Sequence, residues 1–303
     1  MLLKVSSFLL FVNSMFHSFN KFLIIESIYD YMYYMTKKAE LFKSKNHLNY
    51  EELSVKDFNE FPELTGIYQF SVGKLRFDLI CIKNDDTSVV SYFWKGHHDK
   101  AGLELWSKIT KNDEAVFIDV GSHTGLYTIV GLLSNKNNFL ISIEPSLINL
   151  GRMKSNLRLN NLFQNNSQFL GAASDYSGQG FFMGHHDKTF MSKGGRLSAS
   201  GERINIIRLD DISITGNKKI KGIKIDTEGE DYKVLLGAKN IIKNHTPDII
   251  IETREANKID IFKFLSEFNY KFSLISDKII SVDLPNLKIE NIANIYASVT
   301  PLS

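Results

Sequence analysis

Val116-Phe117-Ile118-Asp119-Val120-Gly121-Ser122-His123-Thr124-Gly125-Leu126-Tyr127 passes from an apolar run, through a turn bounded by two glycines, into a helical pattern. The run is short, rich in β-branched residues and lacks polar alternation. It therefore predicts a strand buried on both faces of a parallel sheet. Glycine lets the chain turn sharply and brings backbone close to a ligand. The helix that follows begins with unpaired N–H groups. In open α/β sheets a ligand binds beyond the carboxyl ends of the strands, near a topological switch point.

Outward from this segment, strand-like runs alternate with helical patterns. The further strands are Phe139–Ile143, Gln168–Ala172, Gly222–Asp226 and Asp248–Glu252. The helices are Leu126–Leu133, Leu147–Asn160, Tyr232–Lys243 and Ile259–Phe268. This rhythm predicts βαβ units with right-handed crossovers. Phe272–Ile275 and Asn294–Ser298 add two C-terminal strands. Gly180–Ile207, rich in Gly, Ser, His and Lys, breaks the rhythm and reads as an insertion or lid.

Two groups of acids stand where chemistry is expected. Glu144 ends the second strand, 19 residues after Gly125, and is followed by Pro145. A carboxylate there can accept hydrogen bonds from a ribose diol. Asp226-Thr227-Glu228-Gly229-Glu230-Asp231 holds four carboxylates in six residues at the end of the fourth strand. Glu230 and Asp231 suit the negative first turn of the next helix. Asp226 and Glu228 suit a site. Strand, glycine turn, helix, strand and acid together describe a nucleoside site, which leaves a nicotinamide cofactor and S-adenosylmethionine both open. The missing central glycine of G-x-G-x-x-G weighs against a pyrophosphate, which needs the closest backbone approach.

The remainder is read more coarsely. Lys+Arg 36 against Asp+Glu 34 gives a net charge of +2 over 303 residues, with no electrostatic case for nucleic acid. Cys81 is the only cysteine, so a reducing, cytoplasmic setting is expected. The spacing of Val5, Phe8, Leu9, Val12, Met15, Phe16, Phe19, Phe22 and Leu23 predicts a one-sided helix. It would dock on the body or a partner, with peripheral membrane contact through residues 1–25 as the alternative. Short β-like runs follow at Gly66–Phe70 and Leu75–Ile82, and Asn84-Asp85-Asp86 makes a turn before Val89–Trp94. Residues 1–112 are thus an N-terminal extension of an amphipathic helix and short strands, and residues 113–303 the main domain. Gly96-His97-His98-Asp99-Lys100 recurs at Gly184–Lys188. Without helical His spacing, both copies are expected to be polar turns rather than metal sites. Trp94 is expected in the core rather than stacked on a ligand.

Four blocks resemble the FkbM family of methyltransferases: Phe117–Thr128, Ile141–Ser146 with Asn156–Leu162, Arg208–Ile212, and Ile223–Ala238 followed by Pro247–Glu252. The resemblance runs from about Phe93 to Ala297. It implies a Rossmann-like class I methyltransferase fold: a seven-stranded, mostly parallel sheet whose last two strands form an antiparallel pair. It also implies S-adenosylmethionine as cofactor and O-methylation of a hydroxyl on a sugar, glycan or natural product. By position, Asp119, Gly121, Ser122, His123, Thr124 and Gly125 would shape the methionine side. Glu144, with Pro145, would hold the ribose, and Ala172, Ala173 and Ser174 would lie near the adenine. Asp226 and Glu228 would border donor and acceptor. The family usually has Asn where this chain has His123.

A hydroxyl acceptor benefits from a base. Asp226, Glu228 and His123 are the candidates in that order, with Glu252 a fourth. No metal is expected to be needed. A Mg²⁺ held by Asp226, Glu228 and Glu252 is the alternative. The rival functions are an NAD-dependent oxidoreductase and a non-catalytic protein that has kept the fold.

Overall fold

The computed structural model describes residues 21–46, 48–53, 57–111, 114–184, 194–214 and 218–300. Most of the N-terminal helical pattern, and the second Gly-His-His-Asp-Lys copy beyond Gly184, lie outside these residues. Among the described residues no helix is long and apolar enough to cross a membrane.

Helix α1 (Lys21–Lys45) precedes a hairpin of β1 (Gly66–Val72) and β2 (Leu75–Cys81). Helices α2 (Thr87–Lys95) and α3 (Lys100–Lys111) follow, where the sequence suggested only short strands. The polar turn at Asn84-Asp85-Asp86 explains the difference. The Asp86 carboxylate accepts from the backbone N–H of Ser88 and Val89 and caps α2, so Val89–Trp94 is helical. Trp94 is buried among Phe42, Tyr50, Phe58, Phe61 and Phe93 and belongs to the core.

The main rhythm then begins: β3 (Val116–Val120), α4 (Leu126–Ser134), β4 (Phe139–Glu144), α5 (Leu147–Leu159) and β5 (Asn166–Ala173). Strands β6 (Gly178–Gly184), β7 (Gly195–Ser198) and β8 (Glu202–Ile207) come next, then β9 (Ile220–Ile225), α6 (Asp231–Gly237) and α7 (Lys239–His245). The chain finishes with β10 (Asp248–Thr253), α8 (Lys258–Ser266), β11 (Lys271–Ile275), β12 (Ile279–Ser281) and β13 (Ala293–Ser298).

These strands form one sheet in the order β12-β11-β13-β10-β9-β3-β4-β5-β8-β6-β7. Strands β10, β9, β3, β4, β5 and β8 are parallel neighbours. Strand β13 runs against both β10 and β11, so the expected antiparallel C-terminal pair is present. The expected seven strands are the centre of a larger, eleven-stranded sheet. The segment read as a lid supplies part of the excess: β6, β7 and β8 extend the edge beyond β5. Its alternating strands are half-exposed, so they lack the apolar runs that marked the buried ones.

The buried runs place alternate side chains on opposite faces. Phe117 packs with Trp106, Ile129 and Leu140 on one face, while Val116, Ile118 and Val120 pack with Ile223, Ile225 and Val234 on the other. The first of these cores includes Phe70, Phe77 and Trp94. Packing therefore runs across the division expected at residue 112.

Helix α5 holds the hairpin by imitating a strand edge. Asn160 accepts from the Asp78 N–H at 2.8 Å and donates to its carbonyl at 2.7 Å, and Asn156 accepts from the Ile80 N–H at 3.0 Å. Arg152 donates to the Asp85 carboxylate at 2.8 and 3.3 Å and to the Ile80 carbonyl at 2.9 Å. Breaking a buried ion pair by removing one partner costs about 3–5 kcal/mol, because the other charge stays buried. Arg152→Met is therefore expected to lower unfolding stability by about 3 kcal/mol in urea titration. A loss below about 1 kcal/mol, the range of an exposed pair, would contradict this role.

The expected single helix over Tyr232–Lys243 is two. Asp210 accepts from the N–H groups of Asn240 and Ile241 at 3.0 and 2.9 Å, which starts α7 afresh after Ala238.

Candidate active site

The strand order reverses between β3 and β9: successive units step toward β5 on one side and toward β10 on the other. A cavity of about 330 Å³ opens over the carboxyl ends of the strands there. Its wall carries Asp119, Gly121, Ser122, His123, Thr124, Glu144, Pro145, Ala172, Ala173, Asp226 and Glu228. Ser174 is not on this wall, and neither is Gly125. It sits behind the loop at the start of α4, at φ 88°, and a Cβ there would lie 2.6 Å from Met153 Cγ. It shapes the turn and does not line the cavity.

The glycine loop is built from left-handed positions. Gly121 has φ 75°, and a Cβ on it would lie 1.8 Å from the Asp226 carbonyl oxygen. His123 has φ 48°. His tolerates that conformation better than most residues. The His123 N–H donates to Glu144 Oε2 at 2.9 Å, while Glu144 Oε1 accepts from the Ser146 N–H at 2.9 Å and Asn149 Nδ2 at 3.2 Å. Glu144 is 4% exposed. Burial raises its carboxyl, against the pull of His123 and of these donors.

Asp119 lies deeper, where Thr128 donates to it at 2.7 Å. Burial pushes its carboxyl up to about 6, with the Thr128 hydrogen bond and Lys224 acting against that rise. It is a wall of the site rather than a reacting group.

The acid end is more highly charged. Asp226 is 44% exposed at its side chain and pairs at 3.0 Å with Lys224, whose own side chain is 3% exposed. Burial would raise the Asp226 carboxyl, but the adjacent ammonium and its hydrogen bond hold it below the ordinary value. Glu252, at the end of β10, is pushed up to about 7 by burial and by the Asp226 charge. Arg254 donates to Glu252 through Nε at 3.0 Å and to Glu228 at 3.1 Å. Two cations, Lys224 and Arg254, thus offset three carboxyl groups. Among the described residues, no group of three or more His, Cys, Asp or Glu side chains is placed to hold a metal ion.

Asp231 has the expected structural role: it accepts from the Thr227 N–H and hydroxyl at 3.0 Å and from the Gly229 N–H at 3.2 Å. Glu230 does more than expected. It accepts from the Ser174 hydroxyl at 3.0 Å and also reaches the cavity wall.

The sequence reading missed Lys224, Thr87, Ser88, His98, Asp99, Tyr127, Phe182 and Leu197, all on the same wall. Lys224 had a signal: a charge among buried apolar residues of a strand needs a partner, and Asp226 stands two residues on. The α2–α3 residues had none.

The Thr124 hydroxyl is buried on this wall with no hydrogen-bond partner among the described residues. That orphan group, the cradle at Gly121 and the carboxylate at Glu144 fit a nucleoside ligand. The sequence profile of the methyltransferase FkbM domain matches residues 119–272, half of the chain. The chain belongs to the FkbM methyltransferase family. It is thereby placed among S-adenosylmethionine-dependent methyltransferases, and the family assignment replaces the NAD-dependent alternative.

No curated protein sequence matches this FkbM-family chain. Solved structures similar to it include an FkbM methyltransferase from Methylobacillus flagellatus KT, at 17% identity over 70% of this chain and 53% of that one, TM-score 0.45. The FkbM-family chain therefore spans about half the length of that relative. A SAM-dependent methyltransferase from Agrobacterium tumefaciens is similar at 10% identity over 79% and 72%, TM-score 0.48. M. jannaschii TYW2 in complex with AdoMet is similar at 11% identity over 77% and 84%, TM-score 0.42.

Proposed function

We propose that this chain transfers a methyl group from S-adenosylmethionine to a hydroxyl of a polar acceptor, such as a sugar, glycan or natural product. The observation that carries this reading is one cavity with Glu144 and the glycine loop at one end and the Asp226–Glu252 carboxyl pair at the other. When bound, S-adenosylmethionine supplies an activated methyl group on a sulfonium. Glu144 would hold its ribose, the Gly121–Thr124 loop its methionine side, and Ala172 and Ala173 its adenine. Asp226, ionised and half-exposed, would stand beside the acceptor oxygen and offset the positive charge that develops there as the methyl group arrives, leaving the hydroxyl proton to Glu252. Glu252 would take the proton, since its carboxyl titrates near neutrality, where a base is most effective. Alignment of the reacting atoms supplies the rest. A location in the cytoplasm, with or without peripheral membrane contact through residues 1–25, belongs to the same proposal.

Calorimetric titration with S-adenosylhomocysteine tests the cofactor end. Wild-type chain is expected to bind it, to ignore NAD, and to lose at least about tenfold in affinity in Glu144→Ala, the worth of one charged hydrogen bond. Binding of NAD instead would reject the assignment.

The rate is also expected to depend on pH. Glu252 must be ionised to accept a proton, and its carboxyl lies at about 7. Single-turnover methyl transfer is therefore expected to rise through pH 7 and level off above it. A flat profile from pH 5.5 to 8.5, on the order of the range that brackets such a group, would remove Glu252 from proton transfer.

A further inference from the structure

Neither Lys224 nor the first Gly-His-His-Asp-Lys copy has a part in the chemistry above, and the fold brings them together. The Lys224 ammonium lies 3.0 Å from Asp226 Oδ2 and 5.0 Å from the centroid of the Tyr127 ring. The Tyr127 hydroxyl donates to Asp99 Oδ2. Asp99 takes a left-handed backbone, φ 42°, at the entry to α3. Gly102 in that helix makes room for the contact: a Cβ there would lie 2.4 Å from the Tyr127 oxygen and 2.5 Å from Asp99 Oδ1. A buried ammonium, a left-handed aspartate and a glycine inside a helix each run against local preference. All three serve one chain of contacts that ends on Asp226.

We propose that Lys224 is the positioning residue of the site: its ammonium makes Asp226 the first of the Asp226–Glu252 pair to ionise, and Asp99, from the N-terminal segment, and Tyr127, from α4, hold that ammonium. This deepens the methyl-transfer reading and rests on it for its purpose. Two carboxyl groups this close do not ionise with equal ease. A cation on one side of the pair decides which of them gives up its proton first. Lys224 is on the Asp226 side and Arg254 is shared between Glu252 and Glu228. Besides Lys224, the groups facing Asp226 are Glu252, Asp119, Tyr127, His123 and Asp231. Asp119, Tyr127 and Asp231 act against its ionisation when they are charged, whereas a hydrogen bond from Glu252 and the charge of His123 favour it, less strongly than the lysine does. Burial alone would lower the Lys224 ammonium. Asp226, Asp99 and Asp119 outweigh it and keep the ammonium charged. Asp99 lies outside the residues that match the family profile, so a segment before the domain helps set the charge at its centre.

Carbon-13 carboxyl NMR titration of the full chain tests this, with signals assigned through Asp226→Asn and Glu252→Gln. Lys224→Met is expected to raise the Asp226 midpoint by about one to three pH units, the effect of removing an adjacent opposite charge. Lys224→Arg, which keeps the charge, is expected to leave it low. A folded Lys224→Met chain with an unmoved midpoint overturns the proposal. Should that variant not fold by circular dichroism, Asp99→Asn reads the same arrangement from its outer end. It is expected to lower the Lys224 midpoint followed at the lysine ¹³Cε, and an unchanged midpoint overturns the proposal equally. Failure of the wild-type chain to bind S-adenosylhomocysteine would reject the methyltransferase reading by itself, while the titrations still judge the lysine.

Discussion

Asp226→Asn is expected to lose about 10²–10³-fold in methyl transfer while the chain stays folded. The substitution removes the negative charge that faces the acceptor hydroxyl but keeps an oxygen for Lys224, which donates to Asp226 at 3.0 Å. Asp226→Ala would remove that oxygen too and leave a buried ammonium without its partner, so its loss would mix chemistry with stability. The measurement is incorporation of a radiolabelled methyl group from S-adenosylmethionine into a hydroxyl-rich extract. Thermal unfolding of the same preparation serves as the control for fold. Transfer at the wild-type rate by the Asn variant would remove Asp226 from the reaction.

Gly121→Ala is expected to abolish S-adenosylhomocysteine binding, with at least about 100-fold loss of affinity, since a misplacement of about 1 Å can cost that much. Two independent effects act in the same direction. The backbone at φ 75° is strained for any residue with a Cβ, which costs about 1–3 kcal/mol. The added carbon would also stand 1.8 Å from the Asp226 carbonyl oxygen, so either the glycine loop or the β9 end must retreat. Asp226 donates its N–H to the Val120 carbonyl at 3.1 Å, so such a retreat disturbs both ends of the cavity. Calorimetry and thermal unfolding together check this, and unchanged affinity would show that the loop does not approach the ligand.

The comparison of sequence with structure is clearest at particular residues. The central strands were legible because β3, β4, β9 and β10 are buried on both faces and so read as apolar runs. Glu144 and Asp226 were legible because a carboxylate at the end of such a strand has few structural reasons to be there. Gly121 lines the cavity and Gly125 does not, although both are left-handed. A sequence shows that a glycine is needed, and only the fold shows whether Asp226 or Met153 is the neighbour that needs it. Strands β6, β7 and β8 escaped because edge strands with exposed faces carry a weaker pattern. Helix α2 escaped because its apolar residues also suit a strand, and the Asp86 cap settled the matter.

The sequence by itself determined the parallel sheet, the glycine turn, the two acids that end its strands and the membership those blocks imply. These are local properties: periodicity, turn chemistry and residue type act within a few neighbours along the chain. Tertiary structure alone decided that Asp99, Tyr127 and Lys224 meet, that Glu252 shares a site with Asp226, and that α5 holds the hairpin through Arg152, Asn156 and Asn160. These pairings join residues far apart in the chain, and their strength comes from burial, which no single stretch of sequence displays.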